Sequence, residues 1–250
     1  MEELRYPKPC LHAPGNIAIF GPSKSGKTYF LAKLIRFRNE IFRFVENPGE
    51  QFKKIYYFFG AEQDLFADLK EEYGELISFR KGFPTDTLAN VIQKEDRPAL
   101  VIFDDLETEI YQHEEAKNIL KRDSHHLRLT VIMVFQGLYG DGSRSVRLRE
   151  QFDVQVFFAF RAEEPSLASR FAKFVRGTEA QRELFKTFKK WVNERGGYML
   201  ADFHPDRSKA QQLFRFRTKI FPNDPYTLAF ISNDELSAFQ HHHSNSLTGS

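Results

Sequence analysis

The segment Gly21-Pro22-Ser23-Lys24-Ser25-Gly26-Lys27-Thr28 follows the apolar run Asn16–Phe20 and leads into Tyr29-Phe30-Leu31. An apolar strand that breaks into G-x-x-x-x-G-K-T and then a helix is a phosphate-binding loop. Its glycines let the backbone curl so that N–H groups point inward. The helix opening near Gly26 adds the positive end of its dipole. Lys27 is placed to reach the β- and γ-phosphates of a nucleotide, and the Thr28 hydroxyl to ligate Mg²⁺. All eight residues, Gly21 to Thr28, are therefore assigned to nucleotide binding.

The rest of the chain fits an α/β fold. Leu31, Leu34, Ile35, Phe42 and Val45 follow helical spacing, which predicts one helix over Gly26–Val45, broken by Pro48-Gly49. Strands are predicted at Lys53–Gly60, Glu75–Gly82, Pro98–Asp105, Leu129–Gly137 and Asp153–Phe160. Helices fall between them, including one polar helix over Glu107–His126. Two more helices are read around Ser166–Arg176 and Thr178–Arg195, then strand-like segments at Gly197–His204 and Leu213–Phe221. Alternating strands and helices predict a mainly parallel central sheet flanked by helices. One domain is expected over 1–232, with core motifs in 16–160, a basic part in 161–232 and a polar tail in 233–250.

A nucleotide hydrolase also needs a carboxylate for its metal at the end of a buried strand. Ala99-Leu100-Val101-Ile102-Phe103-Asp104-Asp105 supplies two. Asp104 is assigned to Mg²⁺ and Asp105 to the attacking water. Read alone, the same residues describe a strand ending in a polar turn, with Asp105 or Glu107 capping the next helix. A further strand, Thr130–Phe135, ends in Gln136, placed to sense the γ-phosphate or the water.

Composition narrows the setting. Cys10 is the only cysteine, which excludes an internal disulfide and a Cys-based zinc site and fits a reducing, intracellular compartment. The N-terminus has no apolar signal core, and no apolar run approaches the ~20 residues that span a bilayer. Net charge is +2, so overall charge does not choose a partner. The 27 phenylalanines read as core, or in part as cover for subunit interfaces. No N-K-x-D motif reads guanine, and no L-S-G-G-Q signature is present.

The order GPSKSGKT, LVIFDD, RDSHHLRLTVIMVFQ and SVRLREQFDVQVFFAF resembles the HerA–FtsK superfamily of DNA-pumping ATPases. It is most similar to the viral genome-packaging branch found in poxviruses, virophages and Maverick-type elements, over roughly Asn16–Phe160. The resemblance implies a P-loop NTPase fold of the RecA/HerA–FtsK kind. It implies Lys27 and Thr28 on phosphate and Mg²⁺, Asp104 on the metal, Asp105 on water and Gln136 as sensor. It also implies an arginine that reaches the neighbouring subunit's ATP. The Arg-His pair of the family stands here as His125-His126, so Arg128, Arg122 and Arg147 are the candidates, in that order.

The expectation is an ATP- and Mg²⁺-dependent ATPase that packages double-stranded DNA into a viral or virus-like capsid. It would work as a pentameric or hexameric ring, meet a capsid or portal-vertex protein, and act inside the host cell. Alternatives are a small-molecule or nucleoside kinase and a nucleotide-dependent assembly scaffold. For DNA, two places are marked. One is the basic stretch of Arg170, Lys173, Arg176, Arg182, Lys186, Lys189, Lys190 and Arg195, which also reads as an ordinary amphipathic helix pair. The other is the glycine-containing loop Leu138–Ser145 with Arg144.

Overall fold

The computed structural model describes residues 10–138, 148–160, 164–205, 213–232 and 235–237. Arg144, Arg147, most of the 138–145 loop and most of the 233–250 tail lie outside them. Strands β1 (Leu11–Ala13), β2 (Gly15–Phe20) and helices α1 (Lys27–Arg36) and α2 (Arg38–Ile41) come first. β3 (Phe42–Phe44), β4 (Lys54–Phe59), α3 (Leu65–Tyr73), β5 (Ile77–Lys81) and α4 (Leu88–Val91) follow. Next are β6 (Ala99–Asp104), α5 (Glu107–Gln112), α6 (Glu115–Asn118), α7 (Ser124–His126) and β7 (Leu129–Phe135). The chain continues through β8 (Val154–Phe157), α8 (Glu164–Phe171), α9 (Thr178–Val192), β9 (Met199–Asp202), β10 (Phe216–Thr218) and β11 (Leu228–Phe230).

The described strands form one nine-stranded sheet in the order β11-β10-β9-β8-β2-β7-β6-β4-β5, with β1 and β3 paired apart from it. From β8 to β5 the neighbours are all parallel, and β9, β10 and β11 add antiparallel pairs at one side. β2, β6 and β7 are buried at every residue, as central parallel strands covered on both faces must be. Alternate residues feed two cores. Ile17, Ile19, Leu100, Ile102, Ile132 and Val134 meet Leu31, Leu34 and Ile35 of α1 on one face. Ala18, Phe20, Val101, Phe103, Val131 and Phe135 meet Leu167, Phe171, Leu184 and Phe188 of α8 and α9 on the other. Phe20 stacks between its cross-strand partners Phe135 and Phe157, with ring centroids 5.2 and 5.4 Å away. These phenylalanines are core.

Two expected helices differ. The helix predicted over Gly26–Val45 stops at Arg36, and after the short α2 the chain turns extended. Phe42-Arg43-Phe44 alternates buried, exposed, buried, so β3 pairs in parallel with β1 and packs Phe42 and Phe44 edge-on to Phe52. The helix predicted over Glu107–His126 is interrupted after Gln112 and carries a π-helical turn at Ile119–Asp123. There the Leu120 carbonyl accepts from both the Ser124 hydroxyl and Asn16 Nδ2, each at 2.9 Å. A serine bonding back four residues perturbs a helix in this way. No helix among the described residues is long and apolar enough to cross a membrane.

Candidate nucleotide site

The carboxyl ends of β8, β2, β7, β6 and β4 lie side by side, the edge where parallel α/β sheets bind ligands. The loop after β2 is tied to its neighbours by two backbone bonds: Gly21 N–H donates to the Phe135 carbonyl (3.1 Å), and Phe158 N–H to the Phe20 carbonyl (2.9 Å). Lys24 (φ 62°) and Gly26 (φ 107°) take left-handed backbone to curl the loop. A Cβ at Gly21 would sit 2.6 Å from Ser25 Oγ and 2.8 Å from Phe158 Cβ, so only glycine fits there. α1 starts at Lys27 with no acidic residue in its first turn, leaving the dipole's positive end uncompensated.

Lys27 Nζ donates to the carbonyls of Gly21 (2.5 Å) and Pro22 (2.8 Å). Burial lowers its pKa, and the charges of Asp104, Glu107 and Asp105 pull it back up. The phosphate-loop lysine and the acidic pair therefore share one electrostatic site. Ser25 Oγ is buried with no hydrogen-bond partner. An orphaned hydroxyl in a curled loop fits a phosphate oxygen.

Asp104, the last residue of β6, is 4% exposed. Its Oδ2 accepts from the Tyr57 hydroxyl of β4 (2.7 Å) and from Gln63 Nε2 (2.9 Å). Burial raises its pKa, and those two bonds oppose the rise. Asp105 is exposed and takes φ 56°, a left-handed conformation that aspartate tolerates better than most residues. Its carbonyl occupies the space beside Gly60, where an added Cβ would lie 2.0 Å away. Gln136 Nε2 donates to Asp105 Oδ1 (2.9 Å), and Gln136 N–H to Glu107 Oε2 (2.8 Å).

The structure thus gathers Gly21–Thr28, Asp104, Asp105 and Gln136 at one edge. Sequence reasoning missed Tyr57, Gln63 and Gly60, and weighed Glu107 only as a helix cap. Gly60 closing an apolar strand was the one visible signal. The arginines lie elsewhere. Arg128 precedes β7 while Gln136 follows it, about 25 Å away along the strand. It forms a two-pronged pair with Glu50. Arg122 is exposed on the π-helical turn near the start of β2 and bonds Asp123 at 2.8 Å. Neither meets the phosphate loop of its own chain, and Arg147 is outside the described residues. His125 and His126 are exposed, and no group of three His, Cys, Asp or Glu among the described residues gathers as a metal centre.

A phosphate loop between the first sheet strand and its helix, on a mainly parallel sheet with helices on both faces, defines the fold of a P-loop NTPase. Among solved structures, that of B204, the DNA-packaging ATPase from Sulfolobus turreted icosahedral virus, is similar over 77% of this chain and 94% of that one. The sequence identity is 16% and the TM-score 0.50. The genome packaging NTPase B204 from Sulfolobus turreted icosahedral virus 2, in complex with AMPPCP, matches 76% of this chain and 93% of that one. Its identity is 16% and its TM-score 0.48. The flagellar accessory protein FlaH from Methanocaldococcus jannaschii matches 59% and 74%, with 14% identity and a TM-score of 0.38. At these identities the likeness is one of fold. No protein-family model and no curated protein sequence matches the chain.

Proposed function

We propose that the chain is a Mg²⁺-dependent ATPase that drives double-stranded DNA into a viral or virus-like capsid as a ring. The observation that carries the hydrolytic part is the contact of Gln136 with Asp105, beside Asp104 and in the field of Lys27. Inward N–H groups of Gly21–Thr28 and the Lys27 ammonium would hold the phosphates. Thr28 and Asp104 would hold the metal. With one carboxylate and one hydroxyl, the set suits Mg²⁺, which takes its other ligands from phosphate and water. When bound, the ion neutralises phosphate charge. Asp105, oriented by Gln136, accepts the proton of the attacking water. Asp104 stays in place because Tyr57 and Gln63 hold one oxygen and leave the other.

The DNA part rests on the resemblance stated above, the fold shared with a DNA-packaging ATPase, and charge. Lys173, Arg176, Arg182, Lys186, Lys189, Lys190 and Arg195 are all exposed along α9 and its flanks. Such a face suits sequence-independent phosphate contacts. In a ring, an arginine from the amino end of one sheet would complete the neighbour's site. Both candidates are paired within the chain, Arg122 through Nε with Asp123 and Arg128 with Glu50, and Arg122 is the more exposed of the two. A capsid or portal-vertex protein at the assembly site inside the host is the remaining partner of this reading.

The test is ATPase activity of size-fractionated protein with and without double-stranded DNA. Stimulation confined to a ring-sized fraction is the expected result. Monomer activity indifferent to DNA but dependent on an added phosphate acceptor would instead favour a kinase. A Lys27→Ala protein that hydrolyses ATP at the wild-type rate would overturn the site itself.

A further inference from the structure

β1 and β3 form a two-stranded sheet apart from the main one, and His12 is the middle residue of β1. Strand alternation buries Leu11 and Ala13 on one side and leaves His12 half-buried on the other. His204 comes from far along the chain, just past the end of β9, and is 8% exposed. Two bonds fix the backbone there: Phe203 N–H donates to the Asp153 carbonyl (2.7 Å), and His204 N–H to Asp202 Oδ1 (3.2 Å). The two imidazoles meet with Nδ1 facing Nδ1 at 3.3 Å. They flank Gly15, the first residue of β2, whereas the phosphate loop follows the other end of that strand, about 20 Å away.

This geometry is poor for a hydrogen bond, which prefers a shorter and nearly straight approach. The ring centroids are 4.8 Å apart with the planes at 66°, too close together for two nitrogens that meet head-on. The rings therefore converge obliquely. The same arrangement suits two ligands of one ion. Nitrogens each ~2.0–2.1 Å from a tetrahedral zinc ion lie about 3.3–3.4 Å from one another. A Cβ on Gly15 would lie 3.1 Å from the His12 carbonyl, 3.5 Å from Asp153 Oδ2 and 3.6 Å from His204 Cδ2, so glycine keeps the space beside the rings open. Asp153 Oδ2, held by the Asn16 N–H at 2.8 Å, brings a carboxylate close to the pair, and its charge favours a cation.

We infer that His12 and His204 are a two-histidine site for a divalent transition-metal ion, with zinc as its probe. Imidazole suits such ions, whereas Mg²⁺ takes oxygen ligands. No third His, Cys, Asp or Glu among the described residues gathers with the pair, so water completes the coordination. Binding uses the lone pairs of both Nδ1 atoms. The neutral histidine that carries its proton on Nδ1 moves it to Nε2, and no proton is released. The ion staples β1, and through it β3, to the chain leaving β9. The site is independent of the phosphate loop and of the metal assigned there.

Zinc titration by calorimetry in Mg²⁺ buffer tests it. The parent protein is the full chain carrying His241→Ala, His242→Ala and His243→Ala, because that histidine run can itself hold zinc. The parent should bind one zinc ion per chain and melt at a higher temperature with zinc than with EDTA. His12→Gln or His204→Gln, added to it, should weaken zinc binding about tenfold or more and remove the rise in melting temperature. Melts in EDTA show whether each variant folds. If only His12→Gln folds, it decides alone. If neither folds, carbethoxylation of the parent decides: zinc should shield His12 from the reagent, and an unshielded His12 overturns the site. A parent that binds no zinc also overturns it. So does a folded His12→Gln protein that binds zinc as tightly as the parent, since the ion would then sit elsewhere, on Cys10, His125 or His126.

Discussion

The Tyr57 hydroxyl donates to Asp104 Oδ2 at 2.7 Å across the parallel β4–β6 pair, and both side chains are buried. The bond orients the carboxylate assigned to the metal. It also opposes the pKa rise that burial imposes on Asp104. Burial in turn pushes the Tyr57 hydroxyl well above its ordinary range, with the Asp104 charge adding to it, so Tyr57 stays a donor at any working pH. Tyr57→Phe keeps the ring contacts with Phe66 and Phe79 and deletes only the donor. The expected outcome is a folded protein whose Mg²⁺ requirement rises or whose kcat falls by about 10- to 100-fold, the usual cost of losing a partner that orients a metal ligand. Magnesium titration of the ATPase rate measures it.

Asp104→Asn should separate stability from activity. The folded-state pKa of Asp104 is raised, by burial first. Folding therefore favours the protonated form. The stability tied to that form is fully present below the unfolded carboxyl pKa and is lost as pH rises through the folded one. Asparagine, neutral and still able to accept from Tyr57 and Gln63, escapes that loss. In magnesium-free buffer the variant should melt above wild type at neutral pH, by roughly 2–4 °C if the gain is about 1 kcal/mol. The difference should shrink on acidification. ATPase activity should be absent throughout. Thermal melts across pH measure the first effect, and a variant that melts lower at neutral pH than at acid pH relative to wild type contradicts it.

Gly60→Ala tests the close approach that sets Asp105. The added methyl would lie 2.0 Å from the Asp105 carbonyl, a backbone atom that cannot swing away. Gly60 N–H also bonds the Asp104 carbonyl at 3.0 Å, so any shift moves both carboxylates. The expected cost is about 1–3 kcal/mol of stability, the range for forced overpacking, with hydrolysis reduced more than ATP binding. Urea unfolding and steady-state kinetics on the same preparation compare the two.

The legible part of this molecule is the part encoded locally. Each of Lys27, Asp104 and Gln136 follows or ends an apolar strand, so a short window carries both the side chain and its place at the sheet edge. Tyr57 and Gln63 reach Asp104 only because β4 lies next to β6, a strand order that no window of sequence contains. The same holds for His12 beside His204: nothing at either histidine announces the other. Phe42 and Val45 misled for a different reason. Their three-residue spacing fits a helix, while Phe42 and Phe44 fit a strand, and pairing with β1 decided between them.

Gln136→Ala removes the side-chain bond to Asp105 and leaves the backbone bond to Glu107. If Gln136 orients Asp105 toward water, kcat should fall by about 10²-fold, at the lower end of the general-base contribution. Binding of AMPPCP should stay near wild type, since no phosphate contact of the loop is touched. Equal losses in binding and turnover would point to a role in holding nucleotide instead.

The antiparallel side of the sheet makes a prediction independent of the nucleotide. Arg217 of β10 donates to Asp202 of β9 at 2.7 Å, with the two side chains 1% and 0% exposed. A pair so deep costs more to break than to replace, because a lone charge is left without water. Arg217→Met should lower stability by about 3–5 kcal/mol. Arg217→Met combined with Asp202→Leu should recover part of that loss, since apolar groups of similar size fill the place of the pair. β9 also pairs with β8, which runs beside the phosphate-loop strand β2. The single variant should therefore loosen AMPPCP binding as well, and the double variant should restore it. Denaturant melts with and without AMPPCP read both effects. A double variant less stable than Arg217→Met alone would show that the pair supports β9 and β10 by more than its mutual charge.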